Sequence, residues 1–327
     1  MTPATDRLTR RRTLQLLAAS AAIVGSGADA AARRGDLYRW RGVALGADAE
    51  MALLCADESE ANRLFDIATR EIGRLESVFS LYRPGSALSR LNESLELVHP
   101  PAELLEVLSI ADSAHRATGG AFDPAVQSLW KYHAEVATGA ANADPARLEK
   151  LVAESGWGKV SWSADRIALS SPAAALTLNG IAQGYITDRV AALLRARGMT
   201  NILIDLGEIA ASGRKSPLSR WRIGIAGAGG EQEDDIPLEN SAIATSAPLA
   251  TTFDQAGRLS HIIDPGTGLP AQSPWRRISV IHPSAAFADA MSTGFTLMAA
   301  RDVARTVEQY PSMRMIARAF DGALIRI

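Results

Sequence analysis

The sequence predicts an α+β protein of mixed helices and largely antiparallel sheets. Three observations carry that expectation. Helical and strand-like periodicities follow one another without the strict alternation of a doubly wound sheet. Hairpin patterns stand near both ends of the chain and in its middle, at "LYRWRGVALG" with "EMALLCA", at "KVSWSADRIALSS" and at "MRMIARAFDGALIRI". Glycines and prolines interrupt the helical stretches where they have to stop. The 327 residues suffice for one large domain or two of ordinary size, and a 47% hydrophobic composition supplies ample core.

In chain order, residues 37–46 and 50–56 read as two strands joined over 46–49. From 58 to 79 the apolar residues Leu64, Ile67, Ala68, Ile72, Leu75 and Phe79 recur at helical spacing, and Pro84-Gly85 breaks the pattern. A second helix spans 102–117 and stops at Gly119-Gly120; a third starts at Asp144-Pro145 and ends near Gly156. A hairpin turns at Ala164-Asp165. The centre, "LTLNGIAQGYITDRVAALLRARGMTNILIDLGEI", reads as a strand, a glycine-flanked turn, a helix to about Arg197, a stop at Gly198 and a strand over 201–206. Strands follow at 221–226, 241–245 and 277–282, helices at 284–298 and 301–309, and a closing hairpin turns at Asp321-Gly322. The stretch "AGAGGEQEDDIP" (226–237) reads as a mobile surface loop. No internal repeat or low-complexity linker is visible, so residues 31–327 are expected to form one domain.

A formal charge of −2 gives no electrostatic case for nucleic acid. Cys55 is the single cysteine, which excludes an intrachain disulfide and a cysteine-based zinc or iron–sulfur site. Its setting, "MALLCAD", is that of a buried inert thiol. The N-terminus reads as an address. Arg7, Arg10, Arg11 and Arg12 precede an apolar run, 14–24, too short for a membrane anchor, and Ala28-Asp29-Ala30 fits a cleavage site. The consecutive arginines point to a twin-arginine signal over residues 1–30, hence to a periplasmic mature protein. A disordered basic tail is the alternative.

Four stretches carry chemistry. In "ADAMSTGFTLM", Asp289 and Thr293 are four apart and share one helical face, offering two hard oxygens suited to Mg²⁺; a polar pair that merely packs has the same spacing. "TLNGIAQGYITD" joins strand to helix through Gly180, Ala182 and Gly184, which admits a phosphate to a helix N-terminus. It lacks the lysine of a Walker loop and the spacing of a dinucleotide fingerprint, and a tight turn would read alike. "TGGAFDP" sets Phe122 and Asp123 after flexible glycines, and Tyr82 offers a ring for stacking, though a turn and ordinary packing explain both. In "SHIIDPGTGLP", Pro265 fixes a turn, Gly266 supplies a position for positive φ, and Asp264 can accept from the turn amides. As a strand, 260–263 would place His261 and Ile263 on one face. Turn formation has no need of His261.

Together and in this order, "ESVFSLYRPGSALSRLN", "TGGAFDP", "LNGIAQGYITDRVAALL…NILIDLGEI", "SHIIDPGTGLP" and "IHPSAAFADAMSTGFTLM" resemble the ApbE family of FAD:protein FMN transferases. The resemblance runs from Leu75 to Met298 and implies a T-fold-like flavin transferase architecture. It implies Mg²⁺ ligation by Asp289, Thr293 and the main-chain carbonyl of Gly180. Tyr82 matches a tyrosine lying against the flavin; Ala121, Phe122 and Asp123 match a segment contacting FAD. Thr177 and Gln183 match flavin-nucleotide contacts, at positions where the family often has Asp and Lys or Glu. Leu45 matches an early Met-Gly step, and Ile263 a contact of the His-Ile-Ile-Asp motif. His261 is the candidate for proton transfer, or else a hydrogen-bond contact to flavin or phosphate. The wording of "TLNGIAQGYITDR" is similar to the NosX-like subgroup, which serves nitrous oxide reductase maturation and modifies a membrane flavoprotein.

The implied reaction is Mg²⁺-dependent transfer of FMN from FAD to a Thr or Ser hydroxyl of an exported or membrane flavoprotein, with release of AMP. Two other readings keep the same residues. Water in place of the hydroxyl gives a FAD pyrophosphatase. A periplasmic carrier would bind FAD uncleaved, but has no need of a metal at the pyrophosphate.

Overall fold

The structure, a computed structural model, describes residues 35–44, 46–226 and 232–327, together with a two-residue strand, β1 (Ala22–Ile23). Apart from β1, the export signal read at 1–30 lies outside the described residues, as does Leu45. The remaining strands are β2 (Asp36–Ala44), β3 (Ala47–Cys55), β4 (Glu96–Val98), β5 (Val160–Trp162), β6 (Arg166–Leu169), β7 (Ile202–Asp205), β8 (Ile209–Ser212), β9 (Trp221–Ala226), β10 (Gln232–Leu238), β11 (Ser241–Ser246), β12 (Trp275–His282), β13 (Arg314–Ala319) and β14 (Leu324–Arg326). The helices are α1 (Glu58–Phe79), α2 (Ala87–Ser94), α3 (Ala102–Ala117), α4 (Gln127–Ala137), α5 (Pro145–Glu154), α6 (Ala182–Arg195), α7 (Ala285–Phe295) and α8 (Ala300–Glu308).

Eight strands form the main sheet in the order β14-β13-β12-β11-β8-β7-β3-β2, and every pairing among the described residues is antiparallel. The sheet is covered on both faces, and the period of two shows how. In β7, Ile202 and Ile204 join the core shared with the helices, while Leu203 joins a second cluster. That second cluster is completed by Trp221, Ile223 and Ile225 of β9 and by Ile236 and Leu238 of β10. A mixed helical layer thus lies on one side and a small antiparallel sheet, order β1-β9-β10, on the other.

The α+β expectation holds, and α1 and α3 run over the ranges that periodicity assigned. Asp57 caps α1 by accepting from the Glu60 amide, at 2.9 Å. Cys55 is buried and its thiol is pushed up to about 11 by burial, as befits an inert core residue. Several local expectations fail for tertiary reasons. Residues 176–178 form no strand; the Asn92 side chain takes the place of a strand partner, accepting from the Leu176 amide and donating to its carbonyl. The polar stretch read as a loop contributes β10, because Ile236 and Leu238 have the second core to fill. The first hairpin turns more tightly than 46–49, since Ala47 and Ala49 are buried strand residues. Helices α2 and α4 and strands β4 and β8 had no sequence signal strong enough to be read.

Candidate active site

Helices α6 and α7 cross at unusually close range. A Cβ on Gly184 would lie 2.4 Å from the Ala285 carbonyl oxygen, so only glycine permits the approach. The consequence is that the start of α6 meets the middle of α7. Gly180, just before α6, packs against Thr293, whose Oγ1 would lie 2.9 Å from a Cβ there. Asp289 is buried, and its Oδ2 accepts from the Gly184 amide at 3.3 Å. We expect Gly184→Ala to lower the unfolding free energy by about 3 kcal/mol, measured by urea denaturation, because the new methyl meets main chain that cannot yield.

These residues open into one cavity. Its wall includes Ala121, Phe122 and Asp123, then Thr177, Gly180 and Gln183, then His261 and Ile263, and finally Asp289 and Thr293. The fold therefore brings together the residues of four separate motifs. Tyr82 is not part of this wall; it sits after α1, 42% exposed, with its amide donating to Ser80 Oγ.

The Asp123 carboxylate is already engaged. Oδ1 accepts from the Ala125 amide at 2.7 Å and Oδ2 from the Trp157 amide at 2.8 Å. Burial raises its pKa, against which these two amides and His115 pull. Its first effect is to shape the segment that presents Ala121 and Phe122. Gln183 donates from Nε2 to the Leu206 carbonyl at 3.2 Å, and positive φ at Gly207 (103°) keeps that approach open. A Cβ at Gly207 would lie 2.4 Å from Gln183 Nε2.

His261 lies on no regular strand. Isolated bridges, Thr252 with Ser260 and Ile263 with Pro270, hold its segment instead. Its Nδ1 bonds the Thr251 carbonyl at 2.9 Å, and a carbonyl only accepts, so Nε2 is the basic nitrogen of the neutral ring. His261 keeps part of its surface accessible, yet surrounding protein pushes its pKa below the ordinary histidine value. Asp264 accepts from the Gly266 amide at 2.8 Å, the expected turn. Positive φ falls on Gly268 (70°) rather than Gly266, and a Cβ on Gly268 would lie 2.4 Å from Val152 Cγ2.

Three further residues of the wall escaped the sequence reading. Glu208 is fully enclosed at the β7–β8 turn; burial and then the nearby Asp289 charge push its pKa well up, and its Oε2 accepts from the Thr245 amide. An acid in an apolar setting, three residues after Asp205 in "IDLGEIAAS", was the available signal. Ser246 places Oγ 2.7 Å from Ser292 Oγ and 3.3 Å from Thr293 Oγ1. Trp130 comes from α4 and packs against Phe253.

Burial pushes the Asp289 carboxyl up to about 7. A buried carboxylate with, among the described residues, one amide donor and no salt-bridge partner is costly unless a cation joins it. Among the described residues no group of three or more His, Cys, Asp or Glu is placed to hold a metal. The donors at hand are the Asp289 carboxylate, with that of Glu208 near it, hydroxyls and main chain, a set that fits a hard divalent cation and no soft one.

An antiparallel α+β fold with hard oxygen donors and a neutral histidine around one cavity defines a class of protein equipped to handle a phosphate-bearing ligand. The family model described as ApbE family matches residues 45–317, and the chain belongs to that family. It is 29% identical over 260 residues to the FAD:protein FMN transferase of Chlamydia muridarum, covering 76% of this chain and 77% of that one. It is 30% identical over 235 residues to the enzyme of the same name from Haemophilus influenzae, covering 67% and 68%. Its fold is similar to the flavin transferase ApbE from Vibrio cholerae, with TM-score 0.76 at 24% identity over 89% of this chain and 97% of that one. The ApbE protein from Thermotoga maritima aligns with TM-score 0.79 at 24% identity, over 89% and 97%.

Proposed function

We propose that this chain is a FAD:protein FMN transferase that uses Mg²⁺ and modifies a Thr or Ser hydroxyl of an acceptor protein. The observation that carries the reading is the enclosed Asp289 carboxylate beside Thr293 and Gly180, in the same cavity as a neutral His261. Asp289, Thr293 and the Gly180 carbonyl would hold the cation, which when bound neutralises the FAD pyrophosphate and the charge that develops as it breaks. The acceptor oxygen attacks the FMN phosphorus, the bond to the bridging oxygen breaks, and AMP leaves. His261 takes the hydroxyl proton on Nε2. Ala121, Phe122 and Trp130 provide apolar and aromatic wall for the flavin, and Gln183 and Thr177 provide polar contacts.

The arginine-rich start and the apolar run at 14–24 support export by the twin-arginine route and a periplasmic site of action. Among the described residues no helix is long and apolar enough to cross a membrane. The subgroup wording of "TLNGIAQGYITDR" supports, as acceptor, a membrane flavoprotein of nitrous oxide reductase maturation.

The test uses the chain from Ala31 onward, FAD, MgCl₂ and a candidate acceptor domain, read by mass spectrometry. The reading expects an FMN-sized adduct on Thr or Ser and equimolar AMP, both dependent on Mg²⁺. Free FMN and AMP without adduct, across several acceptors, would make it a pyrophosphatase. Intact FAD under every metal condition would make it a carrier. Binding has its own readout: FAD is expected to quench tryptophan fluorescence, and Trp130→Phe to remove a measurable part of that quenching.

A further inference from the structure

Helix α7 carries Asp289 and Thr293, so whatever fixes its first turn fixes the cation donors. A helix begins with four main-chain amides that have no helical partner. At α7 two of them are met locally: the Ser284 amide donates to His282 Nδ1 at 3.1 Å and the Phe287 amide to the Ser284 hydroxyl at 3.2 Å. The other two, Ala285 and Ala286, donate to a residue almost a hundred positions earlier. Asp188 Oδ1 accepts from the Ala285 amide at 2.8 Å, and Oδ2 accepts from the Ala286 amide at 3.1 Å and from Ser284 Oγ at 2.8 Å.

Asp188 belongs to α6, the helix whose first turn supplies Gln183 and follows Gly180. An ordinary capping residue steadies only its own helix end. This carboxylate instead joins the two helices that contribute the two halves of the site, one turn along α6 from the Gly184–Ala285 contact. Burial raises the Asp188 pKa, and the amides of Ala285 and Ala286 and the Ser284 hydroxyl pull against that rise.

We infer that Asp188 is a positioning residue for the cation site: it clamps the first turn of α7 onto α6 and so sets Asp289 and Thr293 against Gly180. The inference rests on the Mg²⁺ reading above. Asp188 is not part of the cavity wall. Its removal lets the first turn of α7 loosen, one turn before Asp289, and the donors lose their fixed spacing. In other proteins, partners that orient a metal ligand in this way cost about 10- to 100-fold in metal affinity when lost.

The experiment is calorimetric titration of MgCl₂ into protein mixed with FAD and no acceptor, with thermal unfolding measured alongside. Asp188→Asn is expected to raise the Mg²⁺ dissociation constant about tenfold, while FAD binding in EDTA is unchanged. Ser284→Ala removes one of the three donors and gives a smaller increase, which decides the matter if Asp188→Asn does not fold. Val190→Ala, a core truncation on the same helix, controls for lost stability and should leave the Mg²⁺ constant at the wild-type value. An unchanged Mg²⁺ constant in Asp188→Asn or Ser284→Ala, or an increase matched by Val190→Ala, overturns the inference, for Asp188 would then be a helix cap alone. Wild-type protein that takes up no Mg²⁺ overturns the metal reading itself, a separate and recognisable result.

Discussion

Asp289→Asn is expected to lower FMN transfer on the order of 10³-fold and, in the same protein, to raise the metal-free unfolding temperature at pH 8. The two effects have one cause. Asp289 is buried with a carboxyl pushed up to about 7, so folding without a cation opposes its ionisation. A carboxyl whose pKa is raised in the folded state contributes stability that is full below its unfolded value, near 4, and lost as pH rises through 7. Asp205, raised to about 6 by burial, acts in the same direction. Metal-free protein should therefore be less stable at pH 8 than at pH 5, on the order of a few kcal/mol, and unfold at a lower temperature. MgCl₂ should close that gap, because it stabilises most where Asp289 must be ionised. In Asp289→Asn the pH slope should flatten and the Mg²⁺ response should vanish. A variant that keeps its Mg²⁺-dependent rise in unfolding temperature would remove Asp289 from the cation site.

The second large effect is at His261. His261→Gln is expected to slow transfer by about 10²–10⁴-fold with little change in FAD affinity. The wild-type rate should fall on the acid side, as Nε2 becomes protonated below the ordinary histidine value, since burial lowers this pKa. The variant should lose that acid limb and keep whatever dependence the acceptor and the cation impose. Stability follows the same sign: a depressed histidine pKa contributes stability present above about 6.5 and lost as pH falls through the folded value. If His261→Gln loses FAD affinity in proportion to rate and keeps the acid limb, the histidine is a ligand contact and proton transfer lies elsewhere.

Much of the architecture was legible because its causes are local. The apolar spacing in α1 and α3 is a property of neighbouring residues, and both helices occupy the ranges so assigned. The hairpin at Ala164-Asp165 and the closing hairpin depend on short-range turns and formed where expected. Asp289 and Thr293 share a helical face by geometry alone, and the Asp264 turn needs only its own amides. Residues 226–237 read as a surface loop; 232–238 form β10 because β9 and a second core await Ile236 and Leu238. Burial of that kind has no local signature.

By itself, the sequence determined the longer helices and the hairpins, the pairing of Asp289 with Thr293, and the order of motifs that marks the family. Only the tertiary structure decided which acids would be enclosed and what would hold the site together. Glu208 is an unremarked acid until β7, β8 and β11 pair around it, and Asp188 is a surface-like helix residue until α7 docks onto its carboxylate. The reason is physical. Spacing along a helix or strand is set by backbone geometry over a few residues. The cost of a buried charge, and the partner that relieves it, depend on chain segments far apart in sequence, brought together only by the packed fold.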